Sequence, residues 1–465
     1  MSRTRQHSTS EHDHATSLGA AERTTGLERV AQALASLVAA AVALTCATTG
    51  TIQPLSPAVG APAPTTGPSG TPEVAARPAR PVPPASAEGI APQEATPGPE
   101  LDLSTFYEAL RDLRSGGSQD QVRIVWLGDS HTAADFMTHE VRKRLQERFG
   151  NGGPGFIRLG VIPYRHGCAK IVRKGSWLRL PLAPAKETPT DDGVFGLGGM
   201  RSSPEGKDAR STIELYRGAV AGEARYDVSY RLPTSASGFE VSVDDQEPVV
   251  VSGRDGSGAE IRHLEIVGKP GGEISIGSMT GAPELFSVDV RSSEPGVVLD
   301  TVGVDGARVA TPLAWDGATW VAELARRRPV LVVASFGTNE VFQQWPIERY
   351  GPQYDALVAR IRGAAPAASC LFLGPTDVMR EGRTDSRVIE IDAMQRAAAR
   401  RLGCAFVSLF QMMGGDGAYG RWMTAEPSLA ARDGVHLSRD GYELLGKELS
   451  GLFLEDYERL HGKRE

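Results

Sequence analysis

Ser130, Asp433 and His436 are the residues whose types and spacing could carry out nucleophilic catalysis. Ser130 follows a short apolar run, residues 123–127, and precedes a segment with helical periodicity. Asp433 and His436 are separated by two residues just before the last helical segment. In a turn, this spacing lets the carboxylate hold one ring nitrogen while the other nitrogen faces a serine hydroxyl. The three residues therefore predict acyl transfer through Ser130.

Asn339 could stabilise the negative charge that develops on a carbonyl oxygen in such a reaction. It follows the most apolar run of the chain, residues 330–336, and its neutral amide can donate a hydrogen bond. Each of these features also has a plainer explanation. A serine at a strand–helix turn is often a helix cap, Asp-x-x-His occurs by chance, and asparagine after glycine favours turns.

His131 is a rival base because it is adjacent to Ser130. Successive side chains at such a turn point apart, and Asp135 is the only carboxylate at a useful spacing, so packing or contact with substrate is the preferred role. Residues 150–155 match the letters G-x-G-x-x-G but follow a helical segment, and we interpret them as a glycine-rich loop. No motif or Cys/His cluster indicates a metal or another cofactor.

The elements that must position these residues alternate between strands and helices. Apolar runs predict strands over residues 123–127, 297–302, 330–336, 370–373 and 405–409. Helical spacing predicts helices over residues 103–113, 132–149, 314–326, 353–362, 388–402 and 439–460. This alternation is typical of a parallel sheet covered by helices on both faces. Ligands bind at the carboxyl ends of such strands, where Ser130 and Asn339 are expected.

Residues 151–295 differ, since short alternating runs replace the helical pattern. They predict strands near residues 212–216, 226–232, 239–243, 249–251, 261–267, 274–276 and 285–290. Such a series, broken by Gly, Pro, Asp and Ser, is typical of a β-sandwich or jelly roll. We therefore predict one α/β domain, residues 101–150 and 296–465, interrupted by an inserted all-β module, residues 151–295.

The predicted insert contains no candidate catalytic residue. Its aromatic side chains could form a sugar platform, although most of them are expected in the core; they include Trp177, Phe195, Tyr216, Tyr226 and Tyr230. We accordingly expect that replacing residues 151–295 with a short linker keeps activity on a small ester and lowers it on a polymer.

The first hundred residues predict an export segment and a tether. Residues 30–47 are apolar and alanine-rich and follow several arginines, which indicates a signal peptide or a marginal membrane anchor. A buried soluble helix is the alternative, and Cys46 fits a lipoprotein signal poorly. Residues 48–100 hold 13 of the 31 prolines and predict a disordered linker. The protein is therefore expected in the periplasm or cell envelope. Residues 1–47 would comprise a cytoplasmic N-terminus and the signal peptide or membrane anchor, and this N-terminal segment would be the only part of the protein in contact with the membrane.

Charge and cysteine content narrow the function further. The net charge is -7 and no long basic tract is present, which excludes a nucleic-acid partner. Four cysteines are too few for a disulfide scaffold. Cys370 and Cys404 each begin an apolar run, and we expect neighbouring buried thiols, although an oxidising compartment would allow them to pair.

Four short motifs of the α/β part resemble the conserved blocks of the SGNH (GDSL-like) hydrolase family. They are Gly128-Asp129-Ser130-His131, Gly303-Val304-Asp305-Gly306-Ala307, Gly337-Thr338-Asn339-Glu340 and Asp433-Gly434-Val435-His436. Their order and the elements that carry them agree with that family. The resemblance implies a flavodoxin-like three-layer α/β domain and a serine ester hydrolase that needs no cofactor.

The resemblance also implies a role for each matched residue. Ser130 would be the nucleophile, His436 the general base and Asp433 its orienting partner. The backbone N–H groups of Ser130 and Gly306, with the Asn339 side chain, would form the oxyanion hole.

Two positions depart from the family pattern, because His131 replaces a leucine and Glu340 an aspartate. The residues after Ser130 are similar to those of peptidoglycan O-acetylesterases, which also carry a β-rich module after the first block. This implies an acetylated envelope glycan as substrate. The alternatives are a glycan O-acetyltransferase with the same triad and a non-catalytic glycan-binding protein, and the filled triad positions argue against the second.

Overall fold

The computed structural model describes residues 102–118, 120–161, 164–181 and 191–462. The predicted export segment at residues 30–47 and the predicted linker at residues 48–100 lie outside the described residues. Within the described ranges, no helix is both long enough and apolar enough to cross a membrane.

Two groups of α/β elements flank a long series of strands. The first group is α1 (Ser104–Arg114), β1 (Gln121–Gly128), α2 (Ser130–Ala133) and α3 (Met137–Phe149). The series is β2 (Gly155–Arg158), β3 (Ala169–Lys174), β4 (Trp177–Leu180), β5 (Arg201–Pro204), β6 (Arg210–Leu215), β7 (Ala224–Arg231), β8 (Gly238–Val243), β9 (Val249–Ser252), β10 (Arg262–Gly268), β11 (Glu273–Thr280) and β12 (Glu284–Ser292). The second group is β13 (Gly296–Gly303), α4 (Gly317–Arg326), β14 (Leu331–Ser335), α5 (Thr338–Val341), α6 (Gly351–Ala364), β15 (Ser369–Leu373), the hairpin β16 (Met379–Arg380) and β17 (Arg383–Thr384), α7 (Ser386–Leu402), β18 (Ala405–Val407), α8 (Leu409–Met412), α9 (Ala418–Met423) and α10 (Arg439–His461).

A five-stranded parallel sheet forms the centre of the α/β part. Its strand order is β13-β1-β14-β15-β18. Counted along the α/β part alone, this is the order 2-1-3-4-5 of flavodoxin-like sheets. The strands are buried on both faces, as their continuous apolar runs predict. The predicted SGNH-type α/β fold is confirmed.

Helices cover both faces of this sheet. Helices α1, α3 and α10 share one core with Trp126 of β1. Helices α4, α6 and α7 share the other core with the adjacent Val125. Because successive side chains of a strand point to opposite faces, β1 contributes to both cores and is held rigidly between them.

The segment between α3 and β13 forms two antiparallel sheets. One has the order β10-β7-β12-β5-β4, with β2 also paired to β12, and the other has the order β3-β6-β11-β8-β9. Their inner faces share one apolar core that includes Ile213, Tyr226, Val241 and Val288. The inserted all-β module predicted from the alternating pattern is confirmed.

A buried network of charges joins the insert to the parallel sheet. Arg123 of β1 donates to Asp289 of β12 at 3.0 and 2.9 Å and to Asp300 of β13 at 3.1 and 3.0 Å. Arg327 pairs with the same two carboxylates at 3.3 and 3.1 Å. Removing one partner from such a buried pair costs about 3–5 kcal/mol, because the remaining charge stays uncompensated. The insert and the sheet are therefore energetically coupled.

The chain after Ser130 departs from the single helix predicted over residues 132–149. Helix α2 ends early and α3 starts anew, because Asp135 has a left-handed backbone conformation (φ 47°). Its buried carboxylate accepts hydrogen bonds from Thr138 Oγ1 at 2.6 Å, Arg142 Nη2 at 3.0 Å and the backbone N–H of Gly167 at 2.6 Å. Gly167 belongs to the insert, so the break depends on a tertiary contact that helical periodicity cannot show.

Cys370 and Cys404 form a disulfide, with their Cα atoms 4.7 Å apart. The expectation of two free thiols is therefore wrong, although their strands are neighbours as predicted. The parallel register pairs Leu371 with Ala405, which places the two preceding residues side by side. That Cα separation lies in the range that a disulfide requires.

Candidate active site

The backbone before Ser130 is fixed by close packing at the carboxyl end of β1. A Cβ at Gly128 would lie only 2.1 Å from Thr132 Oγ1, so a larger residue cannot be accommodated without displacement. Asp129 then caps α2 by accepting a hydrogen bond from the backbone N–H of His131 at 3.0 Å. Ser130 thereby opens a helix at the sheet edge where α/β proteins bind ligands.

Ser130, His436 and Asp433 form one chain of hydrogen bonds. Ser130 Oγ lies 2.8 Å from His436 Nε2, although 306 positions separate the two residues. His436 Nδ1 lies 2.8 Å from Asp433 Oδ2. A proton on Nδ1 is assigned from the carboxylate that faces it, which leaves Nε2 free to accept the serine proton. The structure thus brings the three predicted residues together in the geometry that nucleophilic catalysis requires.

Asp433 is kept ionised by the donors around it. Its Oδ1 accepts the backbone N–H groups of Val435 and His436, both at 2.9 Å, and lies 3.2 Å from Tyr419 Oη. Burial would raise the pKa of Asp433, but the hydrogen bonds from His436 and Val435 outweigh it and lower the pKa to about 2. The carboxylate is therefore charged at neutral pH and can stabilise an imidazolium at His436. No motif indicated Tyr419, whose hydroxyl also lies 2.6 Å from His436 O.

The three residues predicted for the oxyanion hole follow three adjacent strands. Ser130 follows β1, and Gly306 and Asn339 follow its neighbours β13 and β14. Gly306 has a φ of 74°, a conformation that favours glycine. Asn339 Nδ2 donates to Ala307 O at 2.9 Å and lies 3.5 Å from Asp129 Oδ2. Asn339 is therefore oriented by the same loop that carries Gly306.

Two buried carboxyl groups support this edge of the sheet. Glu340 accepts hydrogen bonds from the backbone N–H groups of Gly337 at 3.0 Å and Val309 at 2.8 Å, which ties the loops after β14 and β13 together. Burial raises the pKa of Asp129 to about 8 and that of Glu340 to about 7, because a low dielectric disfavours the charged form. Glu340, which departs from the family pattern, therefore holds two loops together and does not contact the reacting atoms.

His131 points away from the solvent. Its side chain is buried, with Nδ1 2.9 Å from Tyr442 Oη and Nε2 3.5 Å from Thr376 Oγ1. Burial, together with the smaller effect of the nearby His436, lowers the pKa of His131 to about 3. Of the two roles expected for His131, the structure supports packing, since its ring centroid lies 5.3 Å from that of His436. Contact between His131 and substrate stays a prediction for this buried ring.

Ser130 and His436 open into a cleft of about 550 Å³. The insert forms much of its wall and contributes Arg158, Val161, Tyr164, Arg165, Arg179 and Met200. No motif identified these residues. The position of the insert in the sequence could have indicated that it lines the site. The insert begins after the helices that follow Ser130, and it ends just before the strand that leads to Gly306.

Most aromatic residues considered for a sugar platform belong to the core. Trp177, Phe195, Tyr226 and Tyr230 are buried, which agrees with the expectation for most of the set. Tyr216 is 49% exposed and lines a second groove of about 340 Å³. A buried ring cannot stack on a sugar, so Tyr216 is the one member of this set that is available for such a contact.

Comparisons with known proteins agree with the fold. Residues 276–444 match the GDSL-like Lipase/Acylhydrolase family. A solved structure of a peptidoglycan O-acetylesterase is similar with a TM-score of 0.66 at 25% sequence identity, over 77% of this chain and 98% of that one. A family two carbohydrate esterase from Cellvibrio japonicus matches 62% of this chain and 100% of its own at 9% identity, but its TM-score of 0.26 carries no argument. No curated protein matches the chain by sequence.

The family match begins within the insert and ends in α10, so it contains the Gly306, Asn339 and Asp433–His436 motifs but not Ser130. The inserted module separates Ser130 from the remaining motifs, and the sheet reunites them. The prediction of an SGNH-type serine ester hydrolase is confirmed by the fold and by these similarities.

Proposed function

We propose that this esterase removes O-acetyl groups from a glycan outside the cytoplasmic membrane, with peptidoglycan as the favoured substrate. The hydrogen-bonded chain Ser130–His436–Asp433 carries the proposal, because it supplies a nucleophile, a base and an orienting carboxylate. The similar solved structure is that of a peptidoglycan O-acetylesterase, and it supports the choice of glycan.

The residues of the site account for both halves of the reaction. Ser130 Oγ attacks the acetyl carbonyl while His436 Nε2 takes the serine proton, and Asp433 stabilises the imidazolium. The N–H groups of Ser130 and Gly306 and the amide of Asn339 would stabilise the oxyanion. His436 then gives the proton to the sugar oxygen as its bond to the acetyl carbon breaks, which releases the sugar hydroxyl and leaves an acetyl-serine. A water molecule, deprotonated by His436, then attacks the acetyl carbon, and His436 returns this proton to Ser130 Oγ as the ester bond breaks. Acetic acid leaves and ionises to acetate.

The walls near Ser130 favour a short acyl group. Ala133 and Ala134 provide only small apolar surfaces beside Ser130, and three arginines are among the other residues that line the cleft. A long alkyl chain would lie against these guanidinium groups and would leave them poorly solvated. An acetyl group requires little apolar surface and fits such a site.

Two features support a location outside the cytoplasm. The apolar run at residues 30–47, followed by the proline-rich segment, is typical of an export signal and a tether. The disulfide Cys370–Cys404 is the form that persists in an oxidising compartment. A reporter fused after residue 100 tests this part, since alkaline phosphatase activity requires export and an inactive fusion would contradict it.

The enzymatic part is tested by measuring free acetate from O-acetylated peptidoglycan incubated with the purified protein. We expect acetate release without any added sugar acceptor, which separates a hydrolase from a transferase. Ser130→Ala should lower turnover by roughly 10³-fold or more, because the covalent route is lost. Turnover of the Ser130→Ala variant within tenfold of the wild type would rule out the mechanism.

A further inference from the structure

Three arginines of the insert line the cleft that contains Ser130 and His436. They are Arg158, Arg165 and Arg179, and the one acidic side chain among the described residues of the cleft wall is Asp305. None of the three has a carboxylate within 4.0 Å in the described part of the chain. Arginines elsewhere in the structure, such as Arg123, are matched by buried carboxylates. Three arginines and one carboxylate thus line the cleft within the described residues, so this part of its wall carries a net positive charge.

Arg158 is the most buried of the three, with 3% of its surface exposed. Its Nη2 donates to the backbone carbonyls of Gly198 at 3.1 Å and Gly303 at 2.5 Å, while its Nε has no hydrogen-bond partner. Gly303 pairs with Gly128 in the sheet, so this guanidinium is anchored beside the strand end that leads to Ser130. A buried guanidinium without a counter-ion is costly, and it is tolerated most readily where a ligand supplies the opposite charge.

Arg165 is anchored to the backbone of the segment that carries the nucleophile. Its Nη1 donates to Ala134 O at 3.0 Å and Asp135 O at 2.8 Å, directly after α2. Its guanidinium covers the Phe136 ring at 3.7 Å from the ring centroid, which restricts the rotation of the side chain. Arg165 is thus held in place by two backbone carbonyls and an aromatic ring, and it forms no ion pair within the described residues.

Arg179 lies on β4 and is exposed at the rim of the cleft. Together the three residues present one buried, one half-buried and one exposed guanidinium along the same wall. The planar fork of a guanidinium matches a carboxylate and binds it through two parallel hydrogen bonds. A wall of this composition attracts an anionic sugar and disfavours a cationic one.

We propose that Arg158, Arg165 and Arg179 form a subsite for a carboxylate, so that the preferred substrate is an acetyl ester on a sugar whose carboxylate lies near the ester. The proposal rests on the proposed glycan esterase activity and specifies a glycan that keeps a free carboxylate. In peptidoglycan this means strands without stem peptides, because the peptide is joined to N-acetylmuramic acid through that carboxyl group. The insert then determines specificity, and the α/β domain supplies the triad. The acetyl group enters beside Ser130, and the acid group of the same sugar unit pairs with the arginine wall.

The test compares substrates that differ only in this charge. The first pair is 6-O-acetyl-N-acetylmuramic acid and its primary carboxamide. The second pair is 3-acetoxybenzoate and 3-acetoxybenzamide, whose rates are divided by their hydroxide-catalysed rates to remove leaving-group differences. We expect the wild-type protein to prefer the acid of each pair by about tenfold in kcat/KM at low salt, mainly through KM. The preference should shrink as sodium chloride is raised, since salt screens the exposed charge.

Arg179→Gln and Arg165→Gln should each lower the acid-to-amide ratio by roughly three- to tenfold. Arg254→Gln is the matched control, because Arg254 is an exposed arginine of the insert that does not line the cleft. This variant should keep the wild-type ratio. A fall in the ratio of all three variants alike would indicate a general effect of net charge and would overturn the subsite.

The two substrate pairs separate the possible failures. Preference for the acid in the aryl pair without turnover of either sugar would contradict the glycan substrate and support the carboxylate subsite. Equal kcat/KM for acid and amide in the aryl pair, with or without turnover of the sugars, would overturn the subsite. Turnover of both sugars at equal rates would support the glycan esterase and also overturn the subsite.

Discussion

At the scale of single residues, the triad combines a half-buried serine with exposed partners. The side chains of His436 and Asp433 are 42% and 50% exposed. Water therefore screens the attraction between them, and orientation of the ring depends on hydrogen bonds as well as charge. Two backbone N–H groups hold Asp433 in place, so its position does not depend on its charge alone.

This arrangement predicts unequal losses of activity. His436→Ala should lower kcat by roughly 10³-fold or more, nearly as much as Ser130→Ala, because the proton acceptor is lost. Asp433→Asn should be milder, since water can partly stabilise the exposed imidazolium. The double variant His436→Ala/Asp433→Asn should be no worse than His436→Ala. Steady-state kinetics on p-nitrophenyl acetate measure these values, and a more severe loss for Asp433→Asn than for His436→Ala would contradict the assignment.

At the scale of secondary structure, the unit β1–α2–α3 sets the position of the nucleophile. The left-handed Asp135 turns the chain after α2, and its carboxylate is fixed by Arg142 and by Thr301 Oγ1 at 2.8 Å. Burial would raise the pKa of Asp135, but the Arg142 charge outweighs this and keeps the pKa well below its usual range. This ion pair is therefore charged at neutral pH.

Asp135→Asn should lower the free energy of unfolding by about 3–5 kcal/mol, because it leaves the buried Arg142 without its counter-ion. Asp112→Asn is the matched control, since Asp112 forms an exposed pair with Arg111 and should change the free energy by less than about 1 kcal/mol. Chemical denaturation followed by circular dichroism measures both. Equal, small effects of the two substitutions would show that the buried pair does not stabilise the turn.

At the scale of the whole molecule, the insert is part of the catalytic structure. It supplies Asp289 to the buried network of Arg123, and it supplies Arg158, whose guanidinium binds Gly303 O. The sequence led us to expect a module that could be replaced without harm to small-ester chemistry. The structure reverses that expectation, because the α/β domain would lose both a buried counter-ion and one wall of its cleft.

Replacing residues 151–295 with a short Gly/Ser linker should therefore abolish soluble, folded protein. Arg123 and Arg327 would share Asp300 alone, at a cost of several kcal/mol from a total that is typically about 5–15 kcal/mol. Size-exclusion chromatography and circular dichroism measure the outcome. A folded deletion variant with wild-type activity on p-nitrophenyl acetate would show that the insert is independent of the α/β domain.

His263 links the insert to α4 and makes this junction sensitive to pH. Its Nδ1 lies 3.3 Å from Asp227 Oδ1 and its Nε2 3.0 Å from Glu323 Oε1, with Arg326 also bound to Asp227 at 2.7 Å. Burial would lower the pKa of His263, but the bonds to Asp227 and Glu323 outweigh it and raise the pKa to about 9. The raised pKa means that the stabilisation is complete below about pH 6.5 and is lost as the pH rises through about 9.

The free energy of unfolding should accordingly fall by on the order of 1–2 kcal/mol between pH 6.5 and pH 9 through this residue. In His263→Gln this part of the pH dependence should vanish, although the variant is less stable at pH 6.5. Urea denaturation of both proteins at several pH values measures the difference. Parallel pH profiles for the wild type and the variant would contradict the assignment.

The sequence by itself determined the features that local pattern encodes. Continuous apolar runs between helical runs of period 3.6 predicted the parallel sheet, because its strands are buried on both faces. Alternating runs of period two predicted the β-sandwich, because each of its sheets buries one face. Motifs at strand ends located Ser130, Asn339, Asp433 and His436, since the carboxyl ends of parallel strands meet at one edge. The domain boundaries, the catalytic roles and the export of the chain stay predictions.

Only the tertiary structure decided which distant groups meet. The break at Asp135 depends on Arg142 and on a backbone N–H of the insert. The inward turn of His131 depends on Tyr442, 311 positions away. The arginine wall of the cleft depends on how the sandwich packs against the sheet edge. No local period or motif encodes such contacts, because charge pairing and packing between remote segments arise only after the chain has folded.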